Sequence, residues 1–177
     1  MNLLTLFLIA IRCFALLTTL IAMAFILLGP GVCYIDTAVN DLTICNNEAN
    51  FNFIEWKNVS WTVYLHIPII IITLSGVSPP IYSLIYLFIT NIWEKKNIQM
   101  MKLFKGSLIF LFCGIIEIYL LVTIDIQSKD KYYGEVKSFI QGWASATGIY
   151  FSNFILQLID MFIIYIKFDK PIKGSVI

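Results

Sequence analysis

Three ionisable side chains stand inside otherwise apolar stretches of this sequence: Arg12, Glu117 and Asp160. A charge in hydrocarbon is costly, about 2.5–3.5 kcal/mol for Arg or Asp at a helix centre on insertion scales, so each needs a partner or a task. At ~1.5 Å rise per residue, Arg12 and Asp160 both fall ~10 Å inside the same membrane face, and the matching depth allows an ion pair between two helices. Arg12 could instead extend its long chain to the surface; the pair is the favoured reading. Glu117 falls near the middle of its block. Burial disfavours the charged form there, so its carboxyl is expected to be protonated or hydrogen-bonded. It reads as a structural carboxyl, because a proton or cation relay needs a chain of partners that the sequence does not display. His66 is the only histidine and reads as an interfacial residue near the outer end of a block.

A second polar set follows a helical period. Gly142, Ala146, Tyr150, Asn153, Gln157 and Asp160 recur at steps of three and four and share one face. Small residues such as Gly142 and Ala146 let backbones approach, and amides such as Asn153 and Gln157 hydrogen-bond across helices. Helix packing is the simpler reading; a ligand or ion path is the sharper one.

Of the four cysteines, Cys13 and Cys113 lie within apolar blocks and read as packing residues. Cys33 and Cys45 share one polar segment, and two nearby thiols in an oxidising compartment usually pair. Spacing alone does not set disulfide geometry, so two unrelated thiols is the other reading. The sequence has no CxxC, no Cys/His array, no nucleophile–base pair and no phosphate loop. It therefore points to no metal site, no cofactor and no enzyme chemistry. Asn58-Val59-Ser60 is a glycosylation sequon, a loose pattern placed close to the membrane surface.

These residues need elements to hold them. The 177-residue chain is 59% hydrophobic and 13% charged, with a mean hydropathy of +0.85, against about 45–50% and about 25% in soluble domains. The excess falls into four blocks, and ~20 apolar residues suffice to cross a ~30 Å hydrocarbon core as a helix. The expected fold is an all-α membrane protein: one four-helix transmembrane domain over 1–177. Its predicted helices cover 3–28, 61–93, 103–124 and 139–166. Outer loops fall at 30–60 and 125–138 and an inner loop at 94–102, and a disulfide would stiffen the first outer loop. Gly29-Pro30-Gly31 ends the first helix, while Pro68 and Pro79-Pro80 predict a kink or break in the second.

Basic residues set the orientation. Arg12, Lys95, Lys96, Lys102, Lys105, Lys167, Lys170 and Lys173 collect on one side, against Lys57, Lys129, Lys131 and Lys137 on the other. The first side is expected to be cytosolic, with both termini, in a multi-pass protein of the plasma membrane. A cleaved signal peptide is the rival for the first block and would leave three spans. The net charge of +1 suggests no nucleic-acid partner.

Lys105-Gly106-Ser107-Leu108-Ile109-Phe110 through Gly114, Gly142-Trp143-Ala144-Ser145-Ala146, and Glu55-Trp56 give the chain a family likeness. It resembles the claudin and peripheral-myelin-protein superfamily of small tetraspan proteins, whose plan of a long first outer loop, a short basic inner loop and a short second outer loop it shares. That family's Gly-Leu-Trp motif with two following cysteines is reduced here to Asp41-Leu42-Thr43-Ile44-Cys45, with Cys33 upstream. A MARVEL-type tetraspan has the same layout. The resemblance implies a non-enzymatic role in cell–cell contact, junctions or membrane organisation. Its expected partners are membrane lipid and further copies of the chain or another membrane protein. The Ser175-Val176-Ile177 ending suggests a scaffold that reads C-terminal carboxylates, through Ser175 and Ile177. The alternative is a channel or transporter component, or an accessory subunit, using Glu117 and the polar face of the fourth helix.

Overall fold

The computed structural model describes residues 3–28, 33–36, 42–45, 64–90, 92–131 and 141–169. Of the two strands it describes the backbone alone. Asn58, Ser175 and Ile177 lie outside the described residues.

Four helices account for the apolar blocks: α1 (Leu3–Leu28), α2 (His66–Thr90), α3 (Lys96–Lys131) and α4 (Gln141–Asp169). Between α1 and α2 two short strands, β1 (Cys33–Asp36) and β2 (Leu42–Cys45), pair antiparallel. The helices pack as α1 on α2, α2 on α3, α3 on α4, and α4 back on α1. This closed ring places the start of α1, the α2–α3 turn and the end of α4 at one end of the bundle, called here the terminal face. The hairpin belongs to the opposite, or loop, face.

All four helices carry a stretch long and apolar enough to cross a membrane, with mean hydropathies of 1.6 to 2.3. The distribution of polarity decides the environment. Large apolar side chains such as Phe14, Ile71, Phe88, Phe112 and Phe162 face outward and are more than half exposed. Arg12, Thr19, His66, Thr73, Gln99, Glu117, Asn153, Gln157 and Asp160 are buried inside. In water such contiguous apolar faces would drive association; in a bilayer they meet lipid, and the polar groups satisfy one another within the bundle. The chain is a multi-pass membrane protein.

Helix boundaries differ from the sequence expectation in an informative way. Helix α2 stops at Thr90 instead of 93, where the Thr90 hydroxyl meets the amide of Ile92. Helix α3 begins at Lys96 instead of 103, with the Lys95 carbonyl accepting from the amides of Ile98 and Gln99. Its first two turns carry the charges that read as a loop, yet Gln99 and Leu103 are buried and Lys96 Nζ lies 4.2 Å from the Tyr165 ring centroid. A helix can run past the hydrocarbon when its lysines reach the interface. At their C-terminal ends α3 runs to Lys131, past the expected 124, and α4 runs to Asp169, past the expected 166.

Pro79 and Pro80 do not interrupt α2. A proline has no N–H for the carbonyl four residues before it. Pro79 thus strands the Ser75 carbonyl, which the Ser78 hydroxyl reaches at 3.1 Å. Pro80 strands the Gly76 carbonyl, which accepts from Gln157 Nε2 of α4 at 3.1 Å. The same logic operates at the end of α1. Ile26 lies in the last turn, where carbonyls have no helical donor, and its carbonyl accepts from Trp143 Nε1 at 3.3 Å. Side-chain donors stand in where the helix cannot supply its own.

Candidate intramembrane polar site

The face of α4 that carries the polar stripe is the one turned into the bundle. Gly142, Ala146, Tyr150, Asn153, Gln157 and Asp160 are all buried. Asn153, Gln157 and Asp160 of that face each bond to a neighbouring helix, α1 or α2, over two turns of α4.

Near the terminal face, Arg12 Nε donates to Asp160 Oδ2 at 2.7 Å and Arg12 Nη2 to Asp160 Oδ1 at 3.2 Å. Depth matching suggested this meeting, and the fold makes it bidentate across α1 and α4. Arg12 is 1% exposed, so its charge is held inside the bundle and does not reach the surface. Nη2 also donates to Gln99 Oε1 at 3.1 Å, and Gln99 Nε2 donates to the Glu94 carbonyl at 2.6 Å. The guanidinium carbon lies 5.5 Å from the centroid of the Trp93 ring. Gln99 and Glu94 join this network from a segment that reads as a loop, and Trp93, expected as an aromatic anchor at the inner surface, joins it too.

Two turns away along α4, Asn153 is shared between two threonines of α1. The Thr18 hydroxyl donates to Asn153 Oδ1 at 2.7 Å, and Asn153 Nδ2 donates to the Thr19 hydroxyl at 3.0 Å. Gln157 turns the other way, to the Gly76 carbonyl of α2. It passes α3 at Gly106, where any Cβ would overlap both the Gln157 amide and the Gly76 carbonyl oxygen. The helices meet there only because position 106 has no side chain. By contrast Ala144, Ser145 and Gly148 face outward, so the small-residue segment serves packing on one side only.

Toward the loop face, Glu117 of α3 meets His66 at the start of α2. Nδ1 lies 3.0 Å from Oε1 and 2.9 Å from Oε2, with both side chains fully buried. The His66 ring lies 4.6 Å from the Trp143 ring, centroid to centroid. His66 stands at the end of its helix, as expected, but is fully buried in the bundle, and it supplies the partner for Glu117 that the sequence left unnamed, across 51 residues of chain. Cys113 is buried one turn from Glu117, as a packing residue would be. Cys13 is exposed on the outer surface of α1 and packs no core.

No family model, curated protein or solved structure matches the chain. What the site can do thus rests on its geometry. Among the described residues no group of three or more His, Cys, Asp or Glu side chains could hold a metal ion. The polar groups are distributed along the bundle in small clusters, each bridging helices.

Among the acids whose side chains are described, Glu94 is the one that lies between the spans and is partly exposed. Partial burial raises its pKa, but hydrogen bonds from Lys102 and Ser83 and the charges of Lys102 and Arg12 outweigh that, so it lies below the usual 4.5. Lys102 Nζ stands 2.6 Å from Oε1, and the Ser83 hydroxyl donates to Oε2 at 2.6 Å. A carboxylate depressed on folding stabilises fully above its unfolded value and loses that contribution as pH falls through its folded one. The wild type is expected to exceed Glu94→Gln by about 1 kcal/mol at neutral pH. The gap should close as pH falls below 4.5, read as the difference in thermal midpoint by fluorescence-detected size exclusion.

Proposed function

We propose that this chain is a non-enzymatic tetraspan that organises membrane contacts, displaying its first loop outside the cell and holding both termini in the cytosol. The observation that carries the reading is the use made of the polar residues. Asn153, Gln157 and Asp160 are each engaged in binding α4 to α1 or α2. That is the behaviour of a scaffold, and it leaves the hairpin as the element available to a partner. The positive-inside bias supports the orientation, and the claudin-like layout supports contact between cells.

The hairpin register adds to this. Cys33 stands directly opposite Cys45, and directly opposed residues of an antiparallel pair have Cα atoms about 4.5–5.5 Å apart, inside the range that a disulfide spans. A Cys33–Cys45 bond would close the hairpin at its base and fix the loop for recognition. In mixed cultures of two differently tagged cell lines, the wild-type protein is expected to concentrate where expressing cells touch. Cys33→Ser with Cys45→Ser should lose that enrichment at equal surface level. Uniform distribution of the wild type along the membrane would end the contact reading.

The buried His66–Glu117 pair favours a second reading, a channel or transporter component or an accessory subunit. A titratable pair in the bundle is a recurring feature of proton and ion pathways. Flux in proteoliposomes decides it: a pathway through this pair predicts flux in the wild type that Glu117→Gln abolishes, and equal background flux in both removes the reading.

A further inference from the structure

The lysines in the first part of α3 are provided for unequally. Lys96 Nζ lies 4.2 Å from the Tyr165 ring centroid, and Lys102 Nζ stands 2.6 Å from Glu94 Oε1. Lys105 is exposed on the outer surface of the helix, and among the described residues no hydrogen bond, ion pair or ring contact engages it. Its neighbours on that face, Met101, Leu108 and Phe112, are exposed and apolar. Depth makes this position costly. The next residue, Gly106, packs against Gly76 and Gln157, which stand fourteen residues before the end of α2 and twelve before the end of α4. Lys105 itself is nine residues inside the start of α3. At ~1.5 Å per residue, the three helices place it ~13–20 Å from the terminal face. Outward-facing Phe88 and Ile89 of α2 and Phe162 of α4 lie between that level and the terminal ends, so hydrocarbon continues past it. The five bonds of a lysine stem, about 1.5 Å each, reach at most about 7.5 Å, which leaves the ammonium short of the surface.

A charged side chain at that depth needs a counter-charge, and the bundle does not supply one. The three acids whose side chains are described are taken: Asp160 by Arg12, Glu117 by His66 and Glu94 by Lys102. Of the remaining acids, Asp125 is the nearest along α3, and it stands twenty residues on, ~30 Å away. A second copy would bring the same inventory, with Glu117 and Asp160 buried inside it. A lipid headgroup carries an anionic phosphate, but at the surface, beyond the reach of the stem. What complements Lys105 is an acid held at its own depth, and only another membrane-spanning segment holds one there.

We propose that the outer face of α3 around Lys105 docks a transmembrane helix of another protein, one that carries an Asp or Glu at the matching depth. The inference stands apart from the contact reading, since it uses no residue of the hairpin. The probe is a model span of about 22 leucines and alanines, made with either one Asp or one Leu near its centre. Energy transfer from the labelled full chain to the labelled peptide is measured in phosphatidylcholine vesicles. The wild type should bind the Asp peptide about tenfold more tightly than the Leu peptide. Lys105→Leu should bind both alike, and Lys105→Arg should keep the preference. Lys105→Leu places an apolar side chain toward lipid, so it should remain monodisperse with a thermal midpoint no lower than the wild type's. Equal binding of the two peptides by the wild type, or a preference that survives Lys105→Leu, would overturn the assignment. Loss of the preference on adding phosphatidylglycerol would overturn it in favour of a lipid headgroup. Transfer between two labelled copies that Lys105→Leu abolishes would overturn it in favour of self-association.

Discussion

Asp160→Leu should destabilise the bundle by about 3–5 kcal/mol, the usual cost of removing one member of a buried ion pair. The cause is less the lost attraction than the charge left behind. Arg12 is 1% exposed, with its Nε and Nη2 turned to the carboxylate. Without Asp160, only Gln99 Oε1 remains as a hydrogen-bond acceptor shown for the guanidinium. An arginine side chain keeps its charge in proteins, so the positive charge stays buried. Arg12→Met alone should cost less, because an orphaned carboxyl can take up a proton in low dielectric. The double variant Arg12→Met with Asp160→Leu should recover most of the loss, as replacing a whole buried pair with apolar residues often does. Thermal midpoints of the three variants in one detergent measure this. A double variant as unstable as Asp160→Leu alone would show that the pair does more than neutralise itself.

The second large effect is expected at Gly106. Gly106→Val should cost about 3 kcal/mol or more, at the upper end for overpacking. The neighbours cannot move aside cheaply. One is the Gly76 backbone oxygen and the other the Gln157 amide bonded to it. If Gln157 swings away, the Gly76 carbonyl, already deprived of a helical donor by Pro80, loses its replacement. That loss alone should appear in Gln157→Leu at about 1–2 kcal/mol, the range for interhelical hydrogen bonds in membranes. Gly148→Ala is the matched control. A Cβ there meets nothing within 4 Å, so the change should be neutral or slightly stabilising through helix propensity. Comparing the midpoints of Gly106→Val and Gly148→Ala separates close approach from a general intolerance of larger residues. Equal effects would remove the three-helix junction as an explanation.

Much of the fold is legible in the residues because a helix in lipid must satisfy its own backbone. The number of spans, their approximate limits and the face of α4 turned inward all follow from local pattern, and Gly142, Ala146, Asn153, Gln157 and Asp160 are buried together. Boundaries were less legible at Lys96–Lys102, because charge reads as loop whether or not the helix continues into the interface. The hairpin at 33–45 went unread because four-residue strands carry little periodicity.

The candidate site divides in the same way. The sequence by itself determined that Arg12, Glu117 and Asp160 need partners, and that Pro79-Pro80 disturbs the second helix. Depth along the membrane, which sequence position encodes, even suggested Asp160 for Arg12. Only the tertiary structure decided that Glu117 meets His66, that Gln157 serves Gly76 and not a group on α1, and that Trp143 reaches Ile26. Each of those choices depends on how far a helix is rotated about its axis. That rotation is fixed by close packing around positions such as Gly106, among residues distant in the chain, and no local pattern encodes it.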